Sequence, residues 1–336
     1  MKSTITFFTS RRRGPHVGAL LQRQGALIAL VTLVTFGALR YGERFATGYN
    51  VRSLLADDAK YGLVALGMTF VIMTGGIDLS VGSVAALGGV VAIQVGRYGF
   101  LLGMAAGLAA GAAVGVVNGL LITRLRLQPF IVTLAMLLAA RGVALTLADT
   151  RAAVAPGGGY QGLSHWALLG VPVAVWLLFL AFAIGAGVLR YTAFGRQVLA
   201  VGGNEDASRL MGLPVDRVKL TVYVLSGTLA GCAGVFLGSQ TGSVDTAAGQ
   251  GWELSAIAAV VVGGTLLTGG VGSVLSTLVG VLLLQLLFNL IVFENSKHVV
   301  TISAYWESVI RGAFLLVVVL LQVRLVRRQQ GAARHR

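Results

Sequence analysis

The residues that could do chemistry in this sequence are polar side chains set inside long apolar segments. Asn118 and Arg141 each stand in such a segment, while Gln285 and Asn289 are four residues apart and so share one face of a helix. Polar groups inside a membrane are costly, which makes them candidates for contact with a polar solute. Catalysis would require a converging nucleophile, base or metal set. The sequence shows none, so we expect passage of a solute rather than a reaction.

Metal binding is not expected either. The single cysteine lies inside an apolar run, and the four histidines are scattered without the spacing of metal ligands. Other charged residues have partners close by: Lys60 follows Asp57 and Asp58, and Glu307 lies four residues before Arg311. We expect these residues to form structural ion pairs.

The segment 75–82, Gly-Gly-Ile-Asp-Leu-Ser-Val-Gly, interrupts the apolar pattern. The paired glycines break a helix, and Asp78 and Ser80 can cap the start of the next one. A broken helix at membrane depth is tolerated only where it faces protein or a water-filled cavity. Two interpretations follow: a pore-lining or gating element, or a tight cytoplasmic turn in which Asp78 is only an N-cap.

A second interrupted segment, 252–270, contains the glycine pairs 263–264 and 269–270, which indicate a closely packed or broken helix. Glu253 stands at its outer end, where it either contributes to the outer mouth of a pathway or simply favours the helix N-terminus. Together with the residues above, this segment completes the candidate pathway residues. They are Asp78, Ser80, Asn118, Arg141, Glu253, Thr265, Gln285 and Asn289.

The loop 190–216 predicts a short helix outside the membrane. Asn204 is a suitable N-cap, Glu205 and Asp206 follow where the helix dipole favours anions, and Gly212 and Pro214 stop the helix. Such a helix has no core of its own, so we expect it to dock on a partner; resting on the membrane face is the alternative. The candidate coupling residues are Gly203, Asn204, Glu205, Ala207, Arg209, Leu210, Met211 and Gly212.

Composition places these segments in a membrane. Hydrophobic residues make up 56% of the 336 residues and charged residues 11%, too few to cover the surface of a soluble protein. We predict an all-α, polytopic membrane protein with one transmembrane domain, 24–323, of about ten helices. The predicted spans are 24–40, 54–74, 81–96, 100–122, 128–148, 166–189, 217–238, 252–267, 271–293 and 303–323. The third and eighth are short for full spans.

The net charge of +14 would suggest nucleic-acid binding in a soluble protein. Here most of the 26 Lys and Arg residues fall in segments that ten spans place on one side, together with the basic tails 1–23 and 324–336. The positive-inside rule makes that side the cytoplasm and puts both termini there. The charge therefore indicates topology, and nucleic-acid binding is not expected.

The chain has no P-loop of the Gly-Lys-Ser/Thr type, because none of its lysines follows a glycine. We expect no enzyme activity and no cofactor in this chain, so its energy must come from a partner. The alternative is an ion-coupled secondary transporter, which would want a relay of intramembrane carboxylates or histidines. Asp78 and Glu253 are too few for such a relay and lie near span ends.

Four segments together resemble the permease subunits of bacterial sugar ABC importers of the ribose/galactofuranose type. They are GGIDLSVGSV at 75–84, QPFIVTLAMLLAARGV at 128–143, AVGGNEDASRLMGL at 200–213 and ELSAIAAVVVGGTLLTGGVG at 253–272. The resemblance covers about residues 50–320. It is closest to the second permease of the galactofuranose importer, which PGGG at 156–159 supports. Ser255 departs from the acidic residue that the family often has there, which puts the namesake's substrate preference in doubt.

The resemblance implies a multi-pass protein of the bacterial cytoplasmic (inner) membrane, embedded in lipid, that works by alternating access. It implies a cytoplasmic ATPase subunit that holds ATP and Mg²⁺ and contacts the segment 194–214. It further implies a second permease chain, either a sister chain or a second copy, and a periplasmic sugar-binding protein that delivers a monosaccharide.

Overall fold

The computed structural model describes residues 17–149, 152–155 and 166–295, with scattered helical positions between 306 and 320. Most of the basic N-terminal tail, the PGGG turn, the C-terminal tail, the pair Glu307 and Arg311, and most of the tenth predicted span lie outside the described residues.

The described chain is helical almost throughout. Its helices are α1 (Val17–Tyr41), α2 (Glu43–Ala46), α3 (Gly48–Met73), α4 (Val81–Gly96), α5 (Phe100–Arg124), α6 (Pro129–Leu147), α7 (Val173–Tyr191), α8 (Ala193–Gly203), α9 (Glu205–Leu210), α10 (Val215–Thr241), α11 (Trp252–Val262) and α12 (Val274–Asn295). Four two-residue strands, β1 (Ala153–Val154), β2 (Ala167–Leu168), β3 (Val171–Pro172) and β4 (Ser243–Val244), form the antiparallel pairs β1–β4 and β2–β3.

Five of these helices, α5, α6, α7, α10 and α12, are long and apolar enough to cross a bilayer. Three shorter apolar helices lie over Gly25–Tyr41 and in α4 and α11. The prediction of an all-α, polytopic membrane protein is therefore confirmed. The count of ten spans and the cytoplasmic placement of both termini stay predictions.

Several predicted boundaries are wrong. The sixth span, predicted from 166, begins only at Val173 because the β2–β3 hairpin precedes it. The eighth, predicted to reach 267, ends at Val262, because Gly263 and Gly264 follow and Gly264 has φ 90°. Loop 190–216 holds two helices rather than one. Helix α8 was missed because its glycines disfavour a helix, whereas burial of Val198 and Val201 stabilises it.

Helix α10 is the centre of the bundle and packs against α3, α4 and α5. The contact with α5 is made by glycines at every fourth position. A Cβ atom at Gly111 would overlap the Gly227 carbonyl, and a Cβ atom at Gly227 would overlap the Gly111 carbonyl. Small residues thus let two membrane helices approach backbone to backbone.

Helices α4 and α11, the two predicted short spans, begin side by side. A Cβ atom at Gly82 would overlap the Gly249 carbonyl and would lie 2.8 Å from Glu253 Oε2. In the predicted topology, in which α4 starts on the inner side and α11 on the outer side, this contact would place at least one of the two starts within the thickness of the bundle. Glu253 therefore lies next to the first turn of α4 rather than alone at an outer end.

Candidate functional site

The turn between α3 and α4 carries the first group of candidate pathway residues. Helix α3 closes when the backbone N–H groups of Gly75 and Gly76 donate to the carbonyls of Ile72 and Val71, at 2.8 and 3.1 Å. The chain then turns into the bundle, where Asp78 is only 1% exposed. This is not an exposed cytoplasmic turn, because the carboxyl group at its end is enclosed by other helices.

Asp78 accepts hydrogen bonds from the turn that precedes α4 and from α10. Its Oδ1 accepts the Ser80 backbone N–H at 3.0 Å and the Ser80 hydroxyl at 2.6 Å. Its Oδ2 accepts the Ser226 hydroxyl of α10 at 2.9 Å. Ser80 is the N-cap residue of α4, but its side chain makes no bond to the α4 backbone. Because Asp78 bonds to Ser80 and not to the first turn of α4, the prediction that Asp78 is the N-cap is wrong.

Asn118 of α5 joins the same group. Its Nδ2 donates to Ser80 Oγ at 3.0 Å, so three of the candidate pathway residues come together. We call Asp78, Ser80, Asn118 and Ser226 the buried polar cluster. Ser226 was missed by sequence reasoning, although a hydroxyl within an apolar helix is a signal. None of the ion pairs among the described residues involves Asp78, and the positive end of the α4 dipole lies next to its carboxyl group.

Asn118 also carries a hydrogen-bond acceptor that the described residues leave unused. Its Oδ1 is buried and has no hydrogen-bond partner among the described residues. A buried amide oxygen that lacks a donor is costly, so such an atom usually meets water or a solute. Asn118 Oδ1 is therefore an acceptor of this cluster for which no described residue supplies a donor.

Arg141 and Glu253 form a second group on the other side of the start of α4. The Arg141 guanidinium donates to the Thr246 and Ala248 carbonyls, the latter at 2.6 Å, and lies within Coulombic range of Glu253 and Asp245. These bonds tie α6 to the turn that leads into α11. The geometry makes Arg141 a brace for that turn.

The remaining pathway candidates lie apart from both groups. Thr265 is fully buried in the segment that joins α11 to α12. Gln285 lines a small cavity with Tyr61 and Ser255. Asn289, one turn further along α12, has a buried Oδ1 without a partner among the described residues. The eight candidates are therefore divided among separate places rather than gathered in one site.

The candidate coupling residues lie on and around α9. Asn204 is the N-cap of this helix, as predicted, and its Oδ1 accepts the Ala207 N–H at 2.9 Å. Gly212 has φ 77°, the left-handed conformation in which glycine ends a helix. Leu210 is 89% exposed and Met211 81% exposed. Helix α9 thus presents two large apolar side chains away from the bundle.

An ion-pair network holds α9 to the start of α10. Arg209 bonds to Glu205 at 3.0 Å and to Asp216 at 2.6 Å, and Lys219 bonds to the other Glu205 oxygen. Partial burial acts to raise the pKa of Glu205. Hydrogen bonds from Lys219 and Arg209, with their positive charges, outweigh this effect, so the pKa lies below its ordinary value. Sequence reasoning found Glu205 and Arg209 but missed their partners on α10.

A cavity of about 390 Å³ separates this network from the buried polar cluster. Lys219, Glu205 and Asn204 line one part of it, and Gly76 and Tyr223 line another. The Tyr223 hydroxyl lies 3.4 Å from the Ile77 carbonyl, next to Asp78 in sequence. Tyr223 therefore stands between the cavity and the buried polar cluster.

Comparison with known proteins places these features in a family. The chain is 40% identical over 310 residues to the ribose import permease protein RbsC of Bacillus subtilis (strain 168), covering 91% of this chain and 94% of that protein. It is 38% identical over 313 residues to RbsC of Escherichia coli (strain K12), covering 90% and 94%. It is 39% identical over 314 residues to the L-arabinose ABC transporter permease protein AraH of Azospirillum brasilense, covering 93% and 90%.

No solved structure matches the chain significantly. The identities to RbsC and AraH confirm the likeness to ABC importer permeases, while the finer likeness to the galactofuranose permease stays a prediction. Residues 50–319 match the family described as "Branched-chain amino acid transport system / permease component", and this chain belongs to that family.

Proposed function

We propose that this chain is the membrane-spanning permease subunit of an ATP-driven importer that passes a monosaccharide into the cytoplasm. Ribose and arabinose are the first sugars to test, because proteins named as ribose and arabinose permeases are 38–40% identical to it over about nine tenths of its length. Galactofuranose is the third, from the resemblance of the sequence motifs. The likeness over nearly the whole chain is the observation that carries this proposal.

The polar side chains in the interior of the bundle support a pathway that binds the sugar weakly. The buried polar cluster offers hydroxyl, amide and carboxyl groups that can exchange hydrogen bonds with a sugar, and Asn118 Oδ1 has an acceptor position open. A permease that receives its sugar from a binding protein needs only modest affinity of its own. The scattered positions of Arg141, Glu253, Thr265, Gln285 and Asn289 agree with a path rather than with a single tight site.

Helix α9 supports an external source of energy. Its apolar tip, Leu210 and Met211, is left exposed by the described residues, and a cytoplasmic ATPase that carries ATP and Mg²⁺ is the partner that would cover it. ATP binding there would move α9 and switch the bundle between outward and inward openings. This chain would then need no cofactor of its own.

The arrangement in the membrane is part of the proposal. We infer ten spans within 24–323, both basic tails in the cytoplasm, the coupling loop 190–216 on the same side, and a bacterial inner membrane. A second permease chain, sister or copy, completes the channel, and a periplasmic sugar-binding protein delivers the sugar.

Reconstitution in proteoliposomes tests the function. The permease is combined with the ATPase and the sugar-binding protein of its complex, and uptake of labelled ribose, arabinose and galactofuranose is measured. Uptake that requires ATP and persists when ionophores collapse ion gradients supports the importer. Uptake that needs no ATP and stops with the ionophore would identify the ion-coupled secondary transporter instead.

A further inference from the structure

Three glycine pairs that are far apart in sequence meet at one point of the bundle. They are 75–76 after α3, 202–203 at the end of α8, and 269–270 between α11 and α12. We call this contact the glycine junction.

The contacts of the junction are made by backbone atoms alone. The Gly270 N–H donates to the Met73 carbonyl at 2.9 Å. A Cβ atom at Gly202 would overlap that same carbonyl and would lie 2.5 Å from Gly270 N. A Cβ atom at Gly269 would lie 2.7 Å from Gly75 N and 3.0 Å from the Gly202 carbonyl oxygen. No side chain can be inserted at Gly202 without moving both neighbouring turns.

Each of the three segments of the junction continues into a different candidate functional region. Gly202 is followed by Gly203 and then by Asn204, which caps the coupling helix α9. Gly75 opens the turn that carries Asp78 into the buried polar cluster. Gly269 and Gly270 belong to the segment that joins α11, with Glu253, to α12.

Helix α8 is suited to transmit a displacement to the junction. The ring of Phe194 stacks on that of Phe70 at 6.3 Å between centroids, and Val198 and Val201 are buried. The segment that contacts α8 also has an internal hydrogen bond, from the Leu266 N–H to the Val271 carbonyl at 3.2 Å. Closely packed interfaces of this kind shift between discrete arrangements rather than deform gradually.

We propose that Gly202 is a positioning residue that transmits movement of α9 to both broken-helix turns at once. A displacement that enters at α9 passes through α8 to Gly202, and from there to the Met73–Gly75 turn and to the 269–270 turn. The two short helices α4 and α11, whose starts contact each other at Gly82, then move at the same time. This inference rests on the proposed ATP-driven function.

The test compares Gly202→Ala with Gly187→Ala in α7, because a Cβ atom at Gly187 would meet nothing within 4 Å. ATP hydrolysis and sugar uptake are measured together in proteoliposomes that contain the complete complex. We expect Gly202→Ala to hydrolyse ATP while the sugar moved per ATP falls at least about tenfold, and Gly187→Ala to stay within about twofold of wild type. Equal ratios in the two variants, whether both normal or both lost, would overturn the proposal.

Assembly is checked first by co-purification of the ATPase with Gly202→Ala. If that variant does not assemble, hydrogen exchange is measured on the wild-type complex, without nucleotide and trapped with ATP. We expect protection in 72–78 and 265–271 to change together with protection in 200–212. A change confined to 200–212 would overturn the junction. Absence of ATP-dependent uptake by the wild-type complex would instead remove the proposed function, so the two failures are distinguishable.

Discussion

The Asp78 carboxyl group accepts a hydrogen bond from the Ser226 hydroxyl at 2.9 Å, across 148 positions of sequence. This bond joins the α3–α4 turn to α10, the helix at the centre of the bundle. Because Asp78 also accepts the Ser80 N–H, one carboxyl group contacts both the N-cap residue of α4 and the helix that α4 packs against. Movement of the turn relative to α10 must therefore break or replace this bond.

Replacing Asp78 by Asn is expected to lower ATP-dependent uptake about tenfold while the complex still assembles. Asn keeps an acceptor for the Ser80 N–H but places an NH₂ group where Oδ2 accepted from Ser226, and loss of one intramolecular hydrogen bond costs about 0.5–1.5 kcal/mol. Ser226→Ala, which leaves the Asp78–Ser80 bonds intact, should lower uptake less. Full uptake by Asp78→Asn would mean that Asp78 only shapes the turn before α4, and this is measured with labelled sugar in proteoliposomes.

The exposed tip of α9 gives a prediction about assembly. Changing Leu210 and Met211 together to Ser should weaken ATPase binding by at least about tenfold, since burial of one such side chain contributes about 1.5–3 kcal/mol. Insertion into the membrane should be unaffected, because these residues contact no core. Leu169→Ser is the control, since Leu169 is 85% exposed on another loop. Unchanged co-purification of the ATPase with the double variant would contradict docking at this tip.

The salt-bridge network predicts a difference between two arginines that share one partner. Arg209 bonds to Asp216 at 2.6 Å and also to Glu205, whereas Arg126 is more exposed and lies 3.4 Å from Asp216. Arg209→Ala should loosen α9 and lower the uptake rate several-fold. Arg126→Ala should stay within about twofold, because exposed ion pairs contribute about 0–1 kcal/mol. Hydrogen exchange in 204–210 reports the loosening, and equal exchange in both variants would argue against a role for the network.

Glycine packing between α5 and α10 predicts a stability difference. Gly111→Ala would force a methyl group into the Gly227 carbonyl, and overpacking of this kind costs about 1–3 kcal/mol. Gly142→Ala, at an open position on α6, should leave the thermal midpoint unchanged or raise it. Thermal unfolding in detergent measures both, and a midpoint for Gly111→Ala equal to that of Gly142→Ala would show that the helices can separate without cost.

Whether the sequence could predict a contact depends on how many residues separate its two partners. The Asn204 cap spans three residues, so residue types alone indicated it. The bond from Ser226 to Asp78 joins segments whose packing no local pattern encodes. The two short spans signalled broken helices, but their side-by-side start at Gly82 depends on how the whole bundle is assembled.

Helix α8 and the glycine junction were missed for a related reason. Glycine pairs read locally as helix breakers, and they gave turns at 75–76 and 269–270 as expected. Within α8, burial of Val198 and Val201 overrides the low helix propensity of the neighbouring glycines. The contact among the three glycine pairs arises from tertiary packing, since each pair alone is compatible with an ordinary loop.

Arg141 gives a prediction that separates a brace from a sugar ligand. Its guanidinium donates to the Thr246 and Ala248 carbonyls, so Arg141→Ala should release the turn that brings Glu253 to the start of α4. We expect the maximal uptake rate to fall about tenfold or more, since each lost bond to a charged group is worth about 1.5–3 kcal/mol, while the half-saturating sugar concentration stays unchanged. Arg141→Lys, which keeps the charge and can reach one carbonyl, should retain an intermediate rate. A raised half-saturating concentration with an unchanged maximal rate would instead make Arg141 a direct contact of the sugar, measured with labelled sugar and excess binding protein.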